Sequence, residues 1–242
     1  MATKASESVR TRGAAARAGA RPALKVTGAQ DTRTRRYDPS ETRARVLEAA
    51  YQLFLVKGYA QTGTADIARA AEVSEGSIFY HFGSKAALLA ELGRLHGEKM
   101  IAAMQGDDPL EKLSFRITVN RCFDFCDSNR PWGTVGDAAE QCESFVHAGK
   151  AKHHHSPEAE PFFMAAREVT EAWVRSHLAA IEERFGPTGL DIDITASLIF
   201  ATVGEALNRY FQPGLSAEEK AAIREMCVRF LTRAAGHPAM DG

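Results

Sequence analysis

The chain has 242 residues, of which 45% are hydrophobic and 25% charged, with a formal net charge of −1. This composition is typical of a globular protein with a sizeable core and excludes a largely disordered chain. No apolar run approaches the roughly 18 residues of a membrane span, and the N-terminus lacks an apolar signal segment, so we expect a cytoplasmic protein. Cys122, Cys126, Cys142 and Cys227 follow no disulfide or zinc-finger spacing, which favours a reducing compartment.

The first 37 residues differ from the rest of the chain in charge. They carry nine basic residues against two acidic ones, a net charge of +7, whereas residues 89–242 sum to −7. Gly, Ala, Arg and Ser recur without an apolar period, so we predict a disordered arm. A basic arm on an acidic body suggests an anionic partner, and a solvated tail is the alternative.

Helical periodicity begins after this arm. The first predicted helix opens at Asp38-Pro39-Ser40, with Ser40 as its cap, and closes at Lys57-Gly58. Two short helices follow inside residues 58–83, and strand patterns are almost absent. Further helices are predicted at about 84–104, 109–128, 135–148, 158–185, 191–211 and 217–235. The fold class is therefore all-α, with about nine helices.

Residues 58–85 predict two short helices joined by a tight turn. The first spans residues 64–71, with alanines that let another helix cross it closely. Val73 fills the angle between the helices, and Ser74 caps a second helix of about seven residues, with Ile78 facing inward. This pattern is a helix-turn-helix, in which the second helix enters the major groove of DNA with its N-terminal residues leading.

Three runs in this segment resemble the TetR family of transcriptional regulators. They are Thr-Gly-Thr-Ala-Asp-Ile-Ala at 62–68, Val-Ser-Glu-Gly-Ser at 73–77 and Phe-Tyr-His-Phe-Gly-Ser-Lys at 79–85. The last run, at this distance from Ile-Ala, is highly specific, and the resemblance covers about residues 40–95.

The resemblance implies an arm at 1–37, a DNA-binding domain at 38–95 with its helix-turn-helix at about 63–82, and a helical ligand-binding and dimerisation domain at 96–242. We expect a homodimeric, ligand-responsive regulator of double-stranded DNA. The expected form is a repressor that releases a palindromic operator on binding a small hydrophobic effector, and an activator of the same fold is the alternative. No membrane, cofactor or metal is expected.

Family roles transfer to nine positions in this sequence. Thr64 matches a phosphate-contacting threonine, and the remaining residues match base-reading or backbone-clamping positions. The predicted DNA-binding residues are Thr64, Ser74, Glu75, Gly76, Ser77, Phe79, Tyr80, His81 and Lys85. Lys85 follows Ser84 at a helix start, where a cation and the helix N-terminus both attract phosphate. Gly76 lets the helix approach the base edges closely.

Three positions depart from the common family pattern. Gly63 stands where a capping threonine is usual, and Asp66 is expected to fold back as a partial capping box. Phe79 replaces a frequent tyrosine, which favours contact with a thymine methyl group. Glu75 stands where a basic residue or an amide is common. It either accepts a hydrogen bond from cytosine N4 or repels phosphate.

The C-terminal half supplies candidates for dimerisation and effector binding. Apolar stripes on the last two predicted helices suggest a four-helix dimer interface, which would set two recognition helices about one DNA turn apart. The named interface candidates are Leu198, Ala201, Leu207, Met226 and Phe230; an intramolecular core is the alternative. The named effector-pocket candidates are Trp132, Phe163, Asn120, Arg121, Gln141 and His147.

A few features of the sequence are compatible with functions other than regulation. His153-His154-His155 could sense metal, and Cys122 with Cys126 could bind metal or oxidise, although a solvated loop and buried thiols explain them as well. An enzyme is not expected, because no phosphate loop, nucleophile elbow or metal-ligand helix motif occurs. A low-specificity architectural DNA binder is a further alternative. If the protein binds DNA, residues 33–36 could reach the adjacent minor groove.

Overall fold

The computed structural model describes residues 38–129 and 159–235. These residues form eight α-helices, with a short 3-10 helix at Leu110–Lys112 and no strand. The helices are α1 Pro39–Lys57, α2 Thr64–Ala70, α3 Glu75–Phe82, α4 Lys85–Gln105, α5 Phe115–Ser128, α6 Glu160–Phe185, α7 Ile192–Tyr210 and α8 Ala217–Ala235. The all-α prediction is confirmed, whereas the arm and the helix predicted at 135–148 lie outside the described residues.

Two helix starts differ from the sequence prediction, both because of capping. At α1 the cap is Asp38, whose Oδ1 accepts from the Ser40 amide at 2.9 Å and from the Ser40 hydroxyl at 2.7 Å. Ser40 therefore lies inside the helix. The helix predicted from residue 109 begins at Phe115, because Leu113 is extended and Ser114 accepts from the Ile117 amide at 3.3 Å.

The N-terminal helices α1 to α4 share one apolar core. Val46, Phe54, Ile67, Ile78 and Leu88 are each 0–1% exposed and belong to the same packed cluster. Burying side chains of this size contributes about 1.5–3 kcal/mol each to folding. The helix-turn-helix is therefore held as a rigid unit by α1 and α4.

Helix α6 reaches back into this N-terminal core. Phe162, in the first turn of α6, is 3% exposed and belongs to the same apolar cluster as α1 to α4. The approach is possible because α4 carries Gly93 and Gly97 at the crossing. A Cβ built on Gly93 would lie 2.1 Å from the Phe162 carbonyl oxygen, and one on Gly97 would lie 2.4 Å from Val169 Cγ2. Helices α4 and α6 are thus in backbone contact.

A second core joins α5 to α8. Its most deeply buried members include Phe123, Ile181, Val228 and Leu231, each 0–2% exposed. Among the described residues, no helix is long and apolar enough to cross a membrane.

Candidate nucleic-acid interface

The turn between α2 and α3 sets the angle of the recognition helix. Glu72 adopts φ 54°, the only non-glycine residue with positive φ among those described, and its carboxylate is exposed. The Val73 amide then donates to the Ala68 carbonyl at 3.0 Å, which closes the turn. Ile67 and Ile78, both fully buried, hold the two helices together from below. Val73 is half-buried against the same core, as the sequence predicted.

The start of each short helix has its own stabilising contact. Ser74 caps α3, and its Oγ accepts from the Ser77 amide at 3.2 Å and lies 2.8 Å from Ser77 Oγ. At α2 the Gly63 amide donates to Asp66 Oδ2 at 3.4 Å, so the predicted partial capping box is present. This backbone hydrogen bond, followed by the charge of Lys57, holds the pKa of Asp66 below its usual value.

The outer side of α3 presents aromatic and small polar groups to solvent. Tyr80 is 78% exposed and Phe79 is 49% exposed. The His81 ring lies edge-on to the Tyr80 ring, with centroids 5.0 Å apart. A Cβ on Gly76 would meet nothing closer than Ser74 Oγ at 3.8 Å, so packing within the protein does not require glycine there. A close external surface is one reason for a glycine at this position.

One contact at this edge was not foreseen from the sequence. The Thr64 hydroxyl, at the start of α2, donates a hydrogen bond to Glu75 Oε1, at the start of α3. A hydroxyl has a single proton to donate. In the free protein that proton is used by Glu75, and the predicted phosphate contact of Thr64 would require it to change acceptor. The two residues are eleven positions apart, beyond the reach of local patterns.

The Lys85 ammonium group already makes two hydrogen bonds within the domain. Its Nζ donates to the carbonyls of Tyr59 at 2.9 Å and Thr62 at 3.0 Å, and it lies 4.1 Å from the centroid of the Tyr59 ring. These contacts fasten the α1–α2 loop to the start of α4. An ammonium group has three protons, so one remains for the predicted phosphate contact, which stays a prediction.

The predicted effector-pocket residues divide into two groups. Trp132, Gln141 and His147 lie outside the described residues, as does His153-His154-His155. The others have partners within the fold. Asn120 Nδ2 donates to the Arg116 carbonyl at 2.8 Å, while Phe163 is half-buried beside Phe162 in the N-terminal core. Their role in effector binding stays a prediction.

Arg121 has a clear structural role. One guanidinium nitrogen donates to the carbonyls of Met104 at 3.2 Å and Gln105 at 2.8 Å, and the other donates to Asp108 Oδ2 at 2.8 Å. It therefore caps the C-terminus of α4, where backbone carbonyls lack helical partners.

An open cleft of about 520 Å³ lies between α4 and α6 on the surface of the molecule. Its lining mixes apolar and charged side chains, and it does not include the predicted pocket residues. The lining residues are Ala90, Pro161, Met164, Ala165, Arg167, Glu168, Glu171 and Arg175.

The predicted dimer residues lie on two neighbouring helices with unequal exposure. On α7, Leu198 is 62% exposed and Ala201 is exposed, whereas Leu207 is half-buried against the C-terminal core. On α8, Met226 is 63% exposed and Phe230 is 55% exposed. Large apolar side chains exposed on two helices that pack against each other are candidates for an interaction surface.

The cysteines and histidines form no evident metal site. Within residues 38–129 and 159–235, no group of three or more Cys, His, Asp or Glu side chains is placed to hold a metal ion. Cys122 and Cys227 are buried free thiols; the hydrogen bond with Cys126 and burial raise the pKa of Cys122, and burial raises the pKa of Cys227 to about 11. Protonated thiols are poor nucleophiles and metal ligands. Burial also lowers the pKa of His96 to about 4, so His96 is neutral at pH 7.

Helices α2 and α3 are short, are held together by the buried pair Ile67 and Ile78, and leave one edge of α3 exposed. This arrangement defines a helix-turn-helix protein. Residues 46–92 match the family model described as "Bacterial regulatory proteins, tetR family". This match places the helix-turn-helix segment of the chain among the DNA-binding regions of TetR-family regulators.

Relatives share mainly this N-terminal region. Over 80 residues the chain is 40% identical to the probable HTH-type transcriptional regulator ArpR of Pseudomonas putida, an alignment that covers 31% of this chain and 38% of ArpR. The chain thus matches well under half the length of that relative. Over 184 residues it is 23% identical to the HTH-type transcriptional repressor KstR of Mycolicibacterium smegmatis, covering 67% of this chain and 88% of KstR.

The fold also resembles solved regulators along most of the chain. The crystal structure of the transcriptional regulator FadR from Bacillus subtilis, in complex with stearoyl-CoA, aligns with a TM-score of 0.54 and 17% identity. That alignment covers 80% of this chain and 98% of FadR. At this identity the likeness concerns the fold alone.

Proposed function

We propose that this protein is a homodimeric transcriptional repressor that binds a palindromic DNA operator through α3 and releases it when a small hydrophobic effector binds. The observation that carries the proposal is the exposed edge of α3. Tyr80 is 78% exposed and Phe79 is 49% exposed, whereas Ile78 of the same helix is fully buried. Exposed aromatics on a short, rigid helix are suited to contacts with phosphates and thymine methyl groups.

DNA recognition can be tested by selecting bound duplexes from a random pool with the full chain. We expect a two-fold symmetric site with half-sites about one helical turn apart, roughly 34–36 Å. Tyr80→Ala should weaken binding to that site by about tenfold or more. Met164→Ala removes another exposed side chain, on α6, and should leave affinity unchanged. Equal recovery of all duplexes would favour an architectural DNA binder and reject the proposal.

The dimer is supported by the exposed apolar surface of α7 and α8. Ile194 and Leu198 on α7, and Met226 and Phe230 on α8, are each 55–63% exposed in the single chain. Because one short recognition helix reads few base pairs, two linked copies are needed for a specific site. Leu198→Glu with Phe230→Glu should give a monomer by analytical ultracentrifugation, while Met164→Glu should stay dimeric. A double variant that remained dimeric would place the interface elsewhere.

Repression and effector release rest on relatives and on the α4–α6 contact. KstR is named a repressor, and FadR was solved in complex with stearoyl-CoA. In this chain, α4 belongs to the N-terminal core and also lies in backbone contact with α6, so a ligand that moves α6 would move α4. Acyl-CoA thioesters are the first probes for a thermal-shift and operator-release assay. A true effector should raise the Tm and release DNA at the same concentrations.

The direction of regulation needs a transcriptional readout. We expect a reporter behind the selected operator to be expressed less when the protein is present and to recover with Tyr80→Ala. Higher expression in the presence of the wild-type protein would indicate an activator.

A further inference from the structure

The acidic residue at the leading end of the recognition helix is an unexpected feature of a surface that meets a polyanion. Glu75 is the first residue of α3, directly after the Ser74 cap, and it is exposed. A carboxylate here would weaken binding to every phosphate backbone by simple repulsion. A compensating contact with the bases would explain why it stands at this position.

The Thr64 hydroxyl gives this carboxylate a defined position. Thr64 begins α2, Glu75 begins α3, and the hydrogen bond between them reaches Oε1. The glutamate side chain has several rotatable bonds, and restraining it in advance reduces the entropy lost on binding. With Oε1 engaged by Thr64, Oε2 keeps its capacity to accept a hydrogen bond from a ligand.

Of the groups on DNA, only the amino groups of bases can donate a hydrogen bond to Glu75 Oε2. DNA phosphates carry acceptors alone, so a carboxylate cannot form hydrogen bonds with them. In the major groove the available donors are cytosine N4 and adenine N6. Adenine N6 lies between two acceptors, its own N7 and thymine O4, which both repel a carboxylate. Cytosine N4 has the apolar C5–H edge on one side and a single acceptor, guanine O6, on the other.

We propose that Glu75 is a specificity-determining residue that reads cytosine N4 in each half-site, and that Thr64 is its positioning residue. The inference rests on the proposed function, because it requires α3 to lie in the major groove. In this arrangement Thr64 acts on DNA through Glu75 and keeps its proton on Oε1. The contact also selects against guanine at the same position, whose N7 and O6 would face the carboxylate.

Three variants of the full chain separate base reading from charge. Glu75→Gln keeps an acceptor for Thr64 but removes the charge and adds a donor, which suits adenine. Thr64→Val removes the hydroxyl and keeps the side-chain shape. Glu72→Gln is the charge-matched control, because Glu72 is an exposed carboxylate three residues away in the α2–α3 turn. Each variant is first compared with wild type by thermal unfolding, and a small loss of stability is expected for Thr64→Val alone, because it loses the hydrogen bond to Glu75.

The measured quantity is the relative affinity for each base pair at each position of the site. The site selected by the wild-type protein is substituted one base pair at a time, and the substituted duplexes are compared in competition assays. We expect one cytosine per half-site at which Glu75→Gln loses about tenfold or more of its discrimination, with the other positions unchanged. Thr64→Val should reduce the discrimination at that cytosine several-fold without changing the preferred base. Glu72→Gln should alter none of these ratios.

Two results would overturn the inference while leaving the proposed function in place. Glu75→Gln could tighten binding to all duplexes equally with unchanged base preferences, which is the behaviour of a carboxylate that only repels phosphate. A wild-type preference for adenine or for no base at the affected position would also reject cytosine reading. A wild-type protein that selected no duplex would instead reject the proposed function itself, and the inference with it.

Discussion

The contact between α4 and α6 predicts an unusual response to a glycine substitution. In an ordinary helix interior, Gly→Ala stabilises by about 1 kcal/mol, because alanine has the higher helix propensity. At Gly93 the new Cβ would lie 2.1 Å from the Phe162 carbonyl oxygen, and it needs about 3.0 Å or more. The neighbour is backbone, so α4 and α6 must separate by roughly 1 Å, which would draw the buried Phe162 ring out of the N-terminal core.

The net effect follows from comparing these two contributions. Overpacking of this kind costs about 1–3 kcal/mol, and the upper end applies because a helix backbone cannot rotate away. Against a gain of about 1 kcal/mol, we expect Gly93→Ala to destabilise by about 2 kcal/mol, or about 4–8 °C in Tm. Circular dichroism melts at one fixed protein concentration measure this.

A control in the same helix measures how much alanine stabilises α4 relative to glycine through helix propensity alone. Lys99 is exposed in α4, and the stability of Lys99→Ala minus that of Lys99→Gly gives the value without any steric contribution. If Gly93→Ala proved as stable as wild type, or gained the same amount as that pair, the close approach of the two helices would be refuted.

Four further outcomes follow from contacts within the fold. The Arg94 hydrogen bond and the neighbouring Arg43 hold the pKa of Glu91 down from 4.5 to about 2, so their stabilising effect is complete above pH 4.5 and is lost as pH falls through about 2. Glu91→Gln should therefore cost about 2 kcal/mol at pH 7, a value already reduced for solvent screening because the two arginines are 39% exposed. In urea titrations the difference from wild type should shrink below pH 4.5 and vanish below about pH 2. Lys85→Met should destabilise by about 1–2 kcal/mol, because two carbonyl hydrogen bonds are lost, and unchanged urea midpoints would contradict this. Phe162→Ala should cost about 3–4 kcal/mol in the same assay, and a cost under 1 kcal/mol would place the ring outside the core. Arg121→Lys should cost about 1 kcal/mol, since one ammonium cannot reproduce the fork that caps α4; a loss of effector binding at full stability would instead favour the predicted pocket role.

The sequence alone determined the helical class, the helix-turn-helix and its outward edge. These features depend on neighbours within about four residues, where caps and apolar periods act. Ser74 as the cap of α3, Asp66 folding back on Gly63, and Ile67 with Ile78 as the buried pair were all predicted and are all present.

Contacts between residues of distant helices could not be predicted from the sequence. The link from Thr64 to Glu75 and the insertion of Phe162 into the core of α1 to α4 depend on helix crossings that no local pattern specifies. The apolar stripe of α7 illustrates the same limit, because Leu198 is left in solvent while Leu207 packs on the C-terminal core. Periodicity identifies an apolar face, but the positions of the neighbouring helices determine how much of that face is covered, since burial is a property of the whole packing arrangement.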